Sequence, residues 1–81
     1  MPSKTITIGS LVCCESADEN LYWYFMAPAE GGLKLQIKEQ IIWVITPSSP
    51  LGKVLLNKTL DDEFEWTMNG LGSEFLITEI L

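Results

Sequence analysis

The chain has 81 residues, of which 47% are hydrophobic and 20% charged, and its formal net charge at pH 7 is −6. This length makes one small domain, residues 1–81, which buries about 60–65% of the surface of its unfolded chain. The apolar fraction is too high for a disordered chain. The acidic charge argues against direct binding to nucleic acid or to an anionic membrane, so the partner is expected to be a protein.

Cysteine usage and hydropathy bear on the compartment. Cys13 and Cys14 are adjacent, and neighbours on a strand point to opposite faces, so they cannot readily form a disulfide with each other. The sequence has neither the ~18–20 consecutive apolar residues of a membrane span nor a signal peptide after Met1. We therefore expect a cytoplasmic protein with reduced thiols.

The first half of the chain is typical of strands separated by turns. Residues 5–14 mix alternation with β-branched side chains, and Gly9 is placed at a bulge or bend. The aromatic run 21–26 predicts a second strand with both faces partly covered. Residues 33–37 alternate apolar and polar side chains, which predicts a strand with one face in water. After a turn at 38–40, the run 41–46 predicts the other strand of a hairpin.

The segment 46-TPSSPLGKVLLNKTLDD-62 interrupts the strands and predicts one short helix over 50–56. Ser49 is a good N-cap and Pro50 fits the first helical position, where no N–H is required. Asn57 is suited to a left-handed stop. A helix of this length is marginal alone, so it must pack on the sheet. Three apolar side chains share the face that would do so: Leu51, Val54 and Leu55.

The last third of the chain predicts a second hairpin. Phe64, Trp66 and Met68 alternate with polar side chains, the pair 69-NG-70 is a type I′ turn signal, and 73–81 is the last strand. Together with the helix, these strands predict a single α+β domain.

No catalytic, metal or cofactor site is predicted. The chain has no histidine, which excludes Ser-His and Cys-His nucleophile pairs and imidazole ligands. The acidic pairs at 61–62 and 63–65 are assigned to a turn and to a solvated strand face. The glycines at 31–32 and 70–72 are assigned to turns, since they lack the context of a phosphate loop. Three tryptophans are assigned to the core or to an interface rather than to base stacking: Trp23, Trp43 and Trp66.

The run 48-SSPLGKVLLNKTLDDEFEW-66 resembles the signature of the C-terminal domain of the GreA/GreB transcript-cleavage factors and of the related Rnk protein, roughly S-P-L-G-[RK]-A-L-L-G-K-x-x-G-D-E-x-E. The segment 9-GSLV-12 is similar to the family's G-[ST]-x-V strand, and 22-YWYFMAPAEGG-32 to its Y-x-[IL]-V-G-P-x-E-A-D segment. The positions that fit the signature are Ser49, Pro50, Leu51, Gly52, Lys53, Leu55, Leu56, Lys58, Asp62, Glu63 and Glu65.

Some positions depart from the family pattern. Asn57 and Asp61 stand where the family usually has glycine, and both residue types tolerate the left-handed backbone that such turns need. Gly32 stands where many members carry an aspartate in the loop that helps to grip RNA polymerase. No heptad pattern corresponds to the family's N-terminal coiled coil, whose tip holds catalytic magnesium. We therefore expect no stimulation of transcript cleavage by these 81 residues alone.

The resemblance implies an FKBP-like α+β domain, in which a bent antiparallel sheet packs on one short helix. It implies a docking module that binds the coiled-coil rim of the secondary channel of RNA polymerase, without a cofactor and without direct contact to nucleic acid. The residues expected to bind polymerase lie in the 28–32 loop and the 48–52 turn: Pro28, Glu30, Gly31, Ser49, Pro50 and Leu51.

Two other functions stay open at this point. The domain is either such a polymerase-binding module, or an interaction module of the Rnk type or with another protein target, or, by analogy of fold alone, a peptidyl-prolyl isomerase. The sequence is compatible with a fragment of a longer coiled-coil factor and with a stand-alone domain.

Overall fold

The computed structural model describes residues 5–68 and 71–81 of the chain. It contains six strands and one helix, in the order β1 (Leu11–Ser16), β2 (Leu21–Met26), β3 (Lys34–Ile37), β4 (Gln40–Ile45), α1 (Pro50–Leu55), β5 (Glu63–Met68) and β6 (Leu71–Ile80).

All six strands form one sheet in the order β3-β4-β2-β1-β6-β5. Four of the five strand pairs are antiparallel, but β2 and β4 are parallel. The expected α+β class is confirmed, whereas the sheet is mixed rather than wholly antiparallel. The physical reason is that β3 and β4 form a tight hairpin whose second strand, not its first, lies beside β2. The return strand of that hairpin then runs in the direction of β2.

The core lies between one face of the sheet and α1. Leu55 of the helix, Ile6 before β1, Met26 at the end of β2 and Ile77 of β6 are fully buried there. Tyr22, Val54, Leu56 and Trp66 pack against this cluster from its margin. The helix has only six residues, so packing on the sheet is what stabilises it.

The first strand is shorter than the sequence predicts. It begins at Leu11 rather than at residue 5, and the preceding residues form a turn in which Gly9 has a φ of 96°. Before that turn, Ile6 N donates to the carbonyl oxygen of Lys58 (2.8 Å), and Asn57 N donates to that of Ile6 (3.0 Å). The predicted bend at Gly9 is confirmed, but the register shift of β1 against β6 falls between Cys13 and Cys14.

The prediction that residues 33–37 have one buried face is wrong. All four residues of β3 are exposed, and Leu33 before it is exposed as well. The reason is the position of β3 at the edge of the sheet: no residue of β3 belongs to the core cluster that α1 covers. Alternation correctly separates the two faces of this strand, but neither face is covered.

The second hairpin follows the prediction where it is described. Phe64 is buried and Trp66 half-buried, while Glu63 and Glu65 are exposed. Strands β5 and β6 pair from Glu63 opposite Leu76 to Met68 opposite Leu71. The predicted type I′ turn at 69–70 lies outside the described residues.

Candidate functional site

The turn before α1 is fixed by the hydroxyl of Ser49. Its Oγ accepts from the N–H of Gly52 (3.1 Å) and donates to the carbonyl oxygen of Thr46 (2.7 Å), and the N–H of Thr46 points at it from 3.3 Å. Ser49 has an extended backbone and Pro50 follows at the first helical position. The predicted N-cap is therefore confirmed. The hydroxyl is fully used in holding the turn closed, so it is not free to act as a nucleophile.

Gly52 makes this turn possible by lacking a side chain. A Cβ built on Gly52 would overlap the carbonyl oxygen of Thr46 and would lie 2.8 Å from Ser49 Oγ. Backbone and side chain of the turn thus occupy the volume that any other residue would need. This close approach explains why the residue after Leu51 is glycine.

The loop after β2 lies against the same turn. A Cβ built on Gly31 would lie 3.0 Å from Thr46 Cγ2, and the N–H of Gly32 donates to the carbonyl oxygen of Val44 (2.9 Å). Glu30 and Gly32 have left-handed φ values of 63° and 88°. Thr46 therefore joins the glycine loop to the helix cap, although Gly31 and Thr46 are 15 residues apart in sequence.

An apolar groove of about 390 Å³ opens between these two segments and the sheet. Its floor and walls are aromatic and aliphatic, and none of its lining residues is charged. Lining residues come from β2, the glycine loop, β4, the helix cap and β5: Tyr24, Gly32, Trp43, Val44, Ile45, Ser49, Pro50, Leu51 and Trp66.

Trp43 is the most accessible aromatic side chain of the groove. It is 41% exposed and lies on the same face of the sheet as Tyr24, its partner across the β2–β4 pair. The Lys34 ammonium lies 5.5 Å from the centre of the Trp43 ring, a cation–π contact at the rim. Burial raises the pKa of the Tyr24 hydroxyl, with smaller contributions from Cys14 and Tyr22. Tyr24 therefore stays neutral, and the groove is apolar with one positive charge beside it.

The remaining shifted groups lie outside the groove. Burial raises the pKa of the Cys14 thiol to about 12, and it raises that of Cys13 as well. Both thiols are buried and unpaired, and they stay protonated and unreactive at neutral pH. Hydrogen bonds from the backbone N–H and the hydroxyl of Thr59 lower the pKa of Asp62. That carboxylate closes a turn, as its position in the sequence predicts.

The six residues that the sequence singles out for binding fall into two groups. Ser49, Pro50 and Leu51 line the groove, whereas Pro28 and Glu30 are exposed on the neighbouring loop. Gly31 lies between the two groups, packed on Thr46. The aromatic lining was missed as a set. From the sequence, Trp43 and Trp66 are assigned to the core or to an interface. The alternation pattern within each strand does not show that side chains from different strands lie side by side in one groove.

Comparison with known protein families identifies the type of domain that this chain forms. The family model for "Transcription elongation factor, GreA/GreB, C-term" matches residues 1–81. The chain therefore belongs to the GreA/GreB family, and it corresponds to the C-terminal domain of that family.

Solved structures agree with this assignment. Gfh1 of Thermus aquaticus is 25% identical with a TM-score of 0.78, over 96% of this chain and 48% of that chain. A second structure, of the transcription factor Gfh1, is 25% identical with a TM-score of 0.80, over 98% and 49% of the two chains. The elongation factor GreA/GreB from Nitrosomonas europaea, 21% identical with a TM-score of 0.69 over 99% and 62%, shares the fold.

The 81 residues span about half the length of the two Gfh1 chains that they match. A search of curated proteins finds no significant match. Within residues 5–68 and 71–81 there is no helix long and apolar enough to cross a membrane.

Proposed function

We propose that this domain binds RNA polymerase, as the docking module of a bacterial transcription elongation factor of the GreA/GreB type that acts in the cytoplasm. The observation that carries the proposal is the groove. Ser49, Pro50 and Leu51 of the family signature form one wall and Gly32 lies in another, so residues that mark the family help to build this apolar groove.

The shape and chemistry of the groove suit a helix of the polymerase. Apolar grooves of this kind bind an amphipathic helix through a few anchoring side chains. Trp43, Trp66 and Leu51 offer the large apolar surfaces on which such anchors are found, and Trp43 is exposed before binding. The proposed target is the coiled-coil rim of the secondary channel, with an apolar side chain of the rim in the groove.

Charge favours a basic surface around that anchor. The chain carries 11 acidic and 5 basic residues, and the exposed Glu30 stands two residues before Gly32 at the groove wall. Long-range attraction of a negative domain to a positive patch raises the association rate more than it raises the affinity. Glu30 is the charged side chain that we assign to the contact, beside Pro28 and Gly31.

The 81 residues are proposed to bind and not to catalyse. The groove is lined by apolar and aromatic groups, the Ser49 hydroxyl is held by its capping bonds, and the Asp62 carboxylate by Thr59. None of these groups is free and placed for acid–base or nucleophilic work. Stimulation of transcript cleavage is therefore not expected from this domain by itself.

The proposal is tested by titrating purified RNA polymerase with the wild-type chain and with Glu30→Lys at two salt concentrations. We expect Glu30→Lys to slow association and to weaken binding at low salt by about tenfold, and the difference to shrink as salt screens the contact. Folding should be unchanged, because Glu30 is an exposed turn residue.

Glu19→Lys is the matched control. Glu19 is also an exposed turn glutamate with a left-handed backbone, φ 66° against 63° for Glu30, but it precedes β2 whereas Glu30 follows it. The two variants have the same net charge, so a general charge effect weakens both equally. A specific loss with Glu30→Lys supports the contact. Equal affinities of Glu30→Lys and wild type remove Glu30 from the interface, and no binding by any of the three chains contradicts the proposed function.

A further inference from the structure

The apolar surface that the fold leaves uncovered is concentrated on one hairpin. Large hydrophobic side chains are exposed at nine described positions, and five of them lie within the 33–43 segment. Leu33, Leu35 and Ile37 share one face of this hairpin, whereas Ile41 and Trp43 lie on the other face, opposite Gln36 and Lys34. The exposed fractions of Leu33, Leu35 and Ile37 are 55%, 46% and 56%. Clustered apolar surface of this kind marks an interaction site, whereas scattered exposed side chains do not.

The same segment also has free backbone groups. Strand β3 is an edge of the sheet. The N–H of Val44 donates to the carbonyl oxygen of Leu33 (2.9 Å), so the odd-numbered residues direct their polar backbone groups towards β4. Because these directions alternate along a strand, the N–H and C=O groups of Lys34 and Gln36 face away from the sheet. An exposed edge with an apolar face is a template for pairing with another strand.

We infer that β3 pairs with β3 of a second copy of this chain, so that two sheets join across a two-fold axis at Leu35. In this antiparallel register, Lys34 and Gln36 exchange backbone hydrogen bonds with Gln36 and Lys34 of the second copy. Leu35 stands opposite itself, and Leu33 stands opposite Ile37. The three apolar pairs occupy the closely spaced positions that have no hydrogen bonds between them, where side chains contact best.

Charge selects this register over its neighbours. Centring the pair on Lys34 would place two ammonium groups opposite each other, and centring it on Gln36 would place Lys34 opposite Lys38. Like charges at opposed positions are destabilising. Of these three registers, only the one centred on Leu35 places a neutral side chain opposite Lys34. A strand that is self-complementary in one register fits a closed, isologous dimer.

The overall charge also favours this edge. Two chains of charge −6 repel each other, but the 33–43 segment carries Lys34, Lys38 and Glu39, a local charge of +1 (two lysines less one glutamate). Contact through this segment therefore keeps most carboxylates of the two copies apart. Added salt should strengthen the dimer by screening the remaining repulsion. Strand β3 has only four residues, so we expect a contact smaller than the ~800 Å² per partner of a standard interface and a weak dimer.

The mass of the wild-type chain in solution tests this inference, and the test does not depend on the proposed function. In sedimentation equilibrium, we expect the average mass to rise with protein concentration towards twice that of one chain, and to rise further with salt. Leu35→Lys places two ammonium groups on the two-fold axis and should weaken association by about tenfold or more.

Leu60→Lys is the matched control, because Leu60 is exposed to the same 46% but lies just before β5, the strand at the opposite edge of the sheet from β3. Loss of the dimer in Leu35→Lys and its retention in Leu60→Lys support the inference. A wild-type chain that stays monomeric at every concentration, or a dimer that survives Leu35→Lys, overturns it. Loss in both variants also overturns it, since the association would then be general apolar adhesion.

Cross-linking tests the register. The Leu35→Cys chain places two thiols at opposed, closely spaced positions and should form an intermolecular disulfide on mild oxidation. The Gln36→Cys chain should not, because residue 36 stands opposite residue 34 of the second copy. The native thiols at 13 and 14 are buried, so wild type supplies the background. Equal cross-linking of the two variants contradicts the register.

Discussion

The helix cap at 46–52 and the β3–β4 hairpin both line the groove, but different contacts hold them. In the cap, the Ser49 hydroxyl bonds to three backbone groups and Gly52 leaves no space for a side chain. Within the sheet the hairpin pairs with β2 on one side through β4, and all residues of β3 are exposed. The cap is thus specified by local chemistry, whereas the hairpin offers surface. Both segments contribute to the groove, but only the hairpin also has a strand, β3, whose residues are all exposed.

This comparison has a consequence for stability. Substitutions at the cap and in the adjoining helix remove buried contacts or leave buried hydrogen-bonding groups without a partner, so they should lower the free energy of unfolding substantially. Substitutions of exposed side chains on β3 should hardly change the free energy of unfolding. The same substitution made in the two regions should therefore change the free energy of unfolding by different amounts.

The largest expected effect comes from truncating leucine in each region. Leu55 is 0% exposed and Leu35 is 46% exposed. We expect Leu55→Ala to lower the free energy of unfolding by about 2–5 kcal/mol, and Leu35→Ala to change it by about 0.5 kcal/mol or less. Urea titrations of dilute protein measure both values. Similar losses in the two variants would contradict the assignment of the helix to the core and of β3 to the surface.

Gly52→Ala should destabilise by about 3 kcal/mol, because the new Cβ meets a carbonyl group that cannot move without opening the cap. Elsewhere in a helix this change stabilises by up to about 1 kcal/mol, so even its sign is informative. Gly72→Ala is the control. A Cβ there would meet only Thr67 Oγ1, at 3.9 Å, and we expect a change within about 0.5 kcal/mol. A stabilising Gly52→Ala would show that the cap opens easily.

The parts of the fold that sequence reasoning predicted are those decided by neighbouring residues. Ser49 and Pro50 start the helix because the capping bond spans only three residues. Asn57 and Asp61 have left-handed φ values of 71° and 69°, as the glycine positions of the family imply. In each case the cause is local geometry, which the order of residue types reveals directly.

The parts that it missed depend on contacts between distant segments. Alternation in 33–37 shows which side chains share a face, but what covers that face is decided by where β3 lies in the sheet. The parallel pairing of β2 with β4 arises in the same way. The groove needs Tyr24, Trp43 and Trp66 from three strands, and no pattern within one strand predicts that meeting.

Of the three substitutions expected to destabilise the domain, Ser49→Ala should have the smallest effect, about 0.5–2 kcal/mol. The upper end applies, because the Thr46 carbonyl loses its hydroxyl donor at 2.7 Å and the Gly52 N–H loses its acceptor at 3.1 Å. Ser49→Asp separates these two roles. A carboxylate still accepts from the helix N–H groups but cannot donate to the Thr46 carbonyl oxygen. Aspartate should therefore restore the stability of a cap that only accepts hydrogen bonds, but not of this cap, in which the Ser49 hydroxyl also donates one. Thermal melts of the two variants decide the matter: full recovery of stability in Ser49→Asp would mean that the bond to Thr46 contributes little, and that the cap differs from the β3–β4 hairpin only in its exposure.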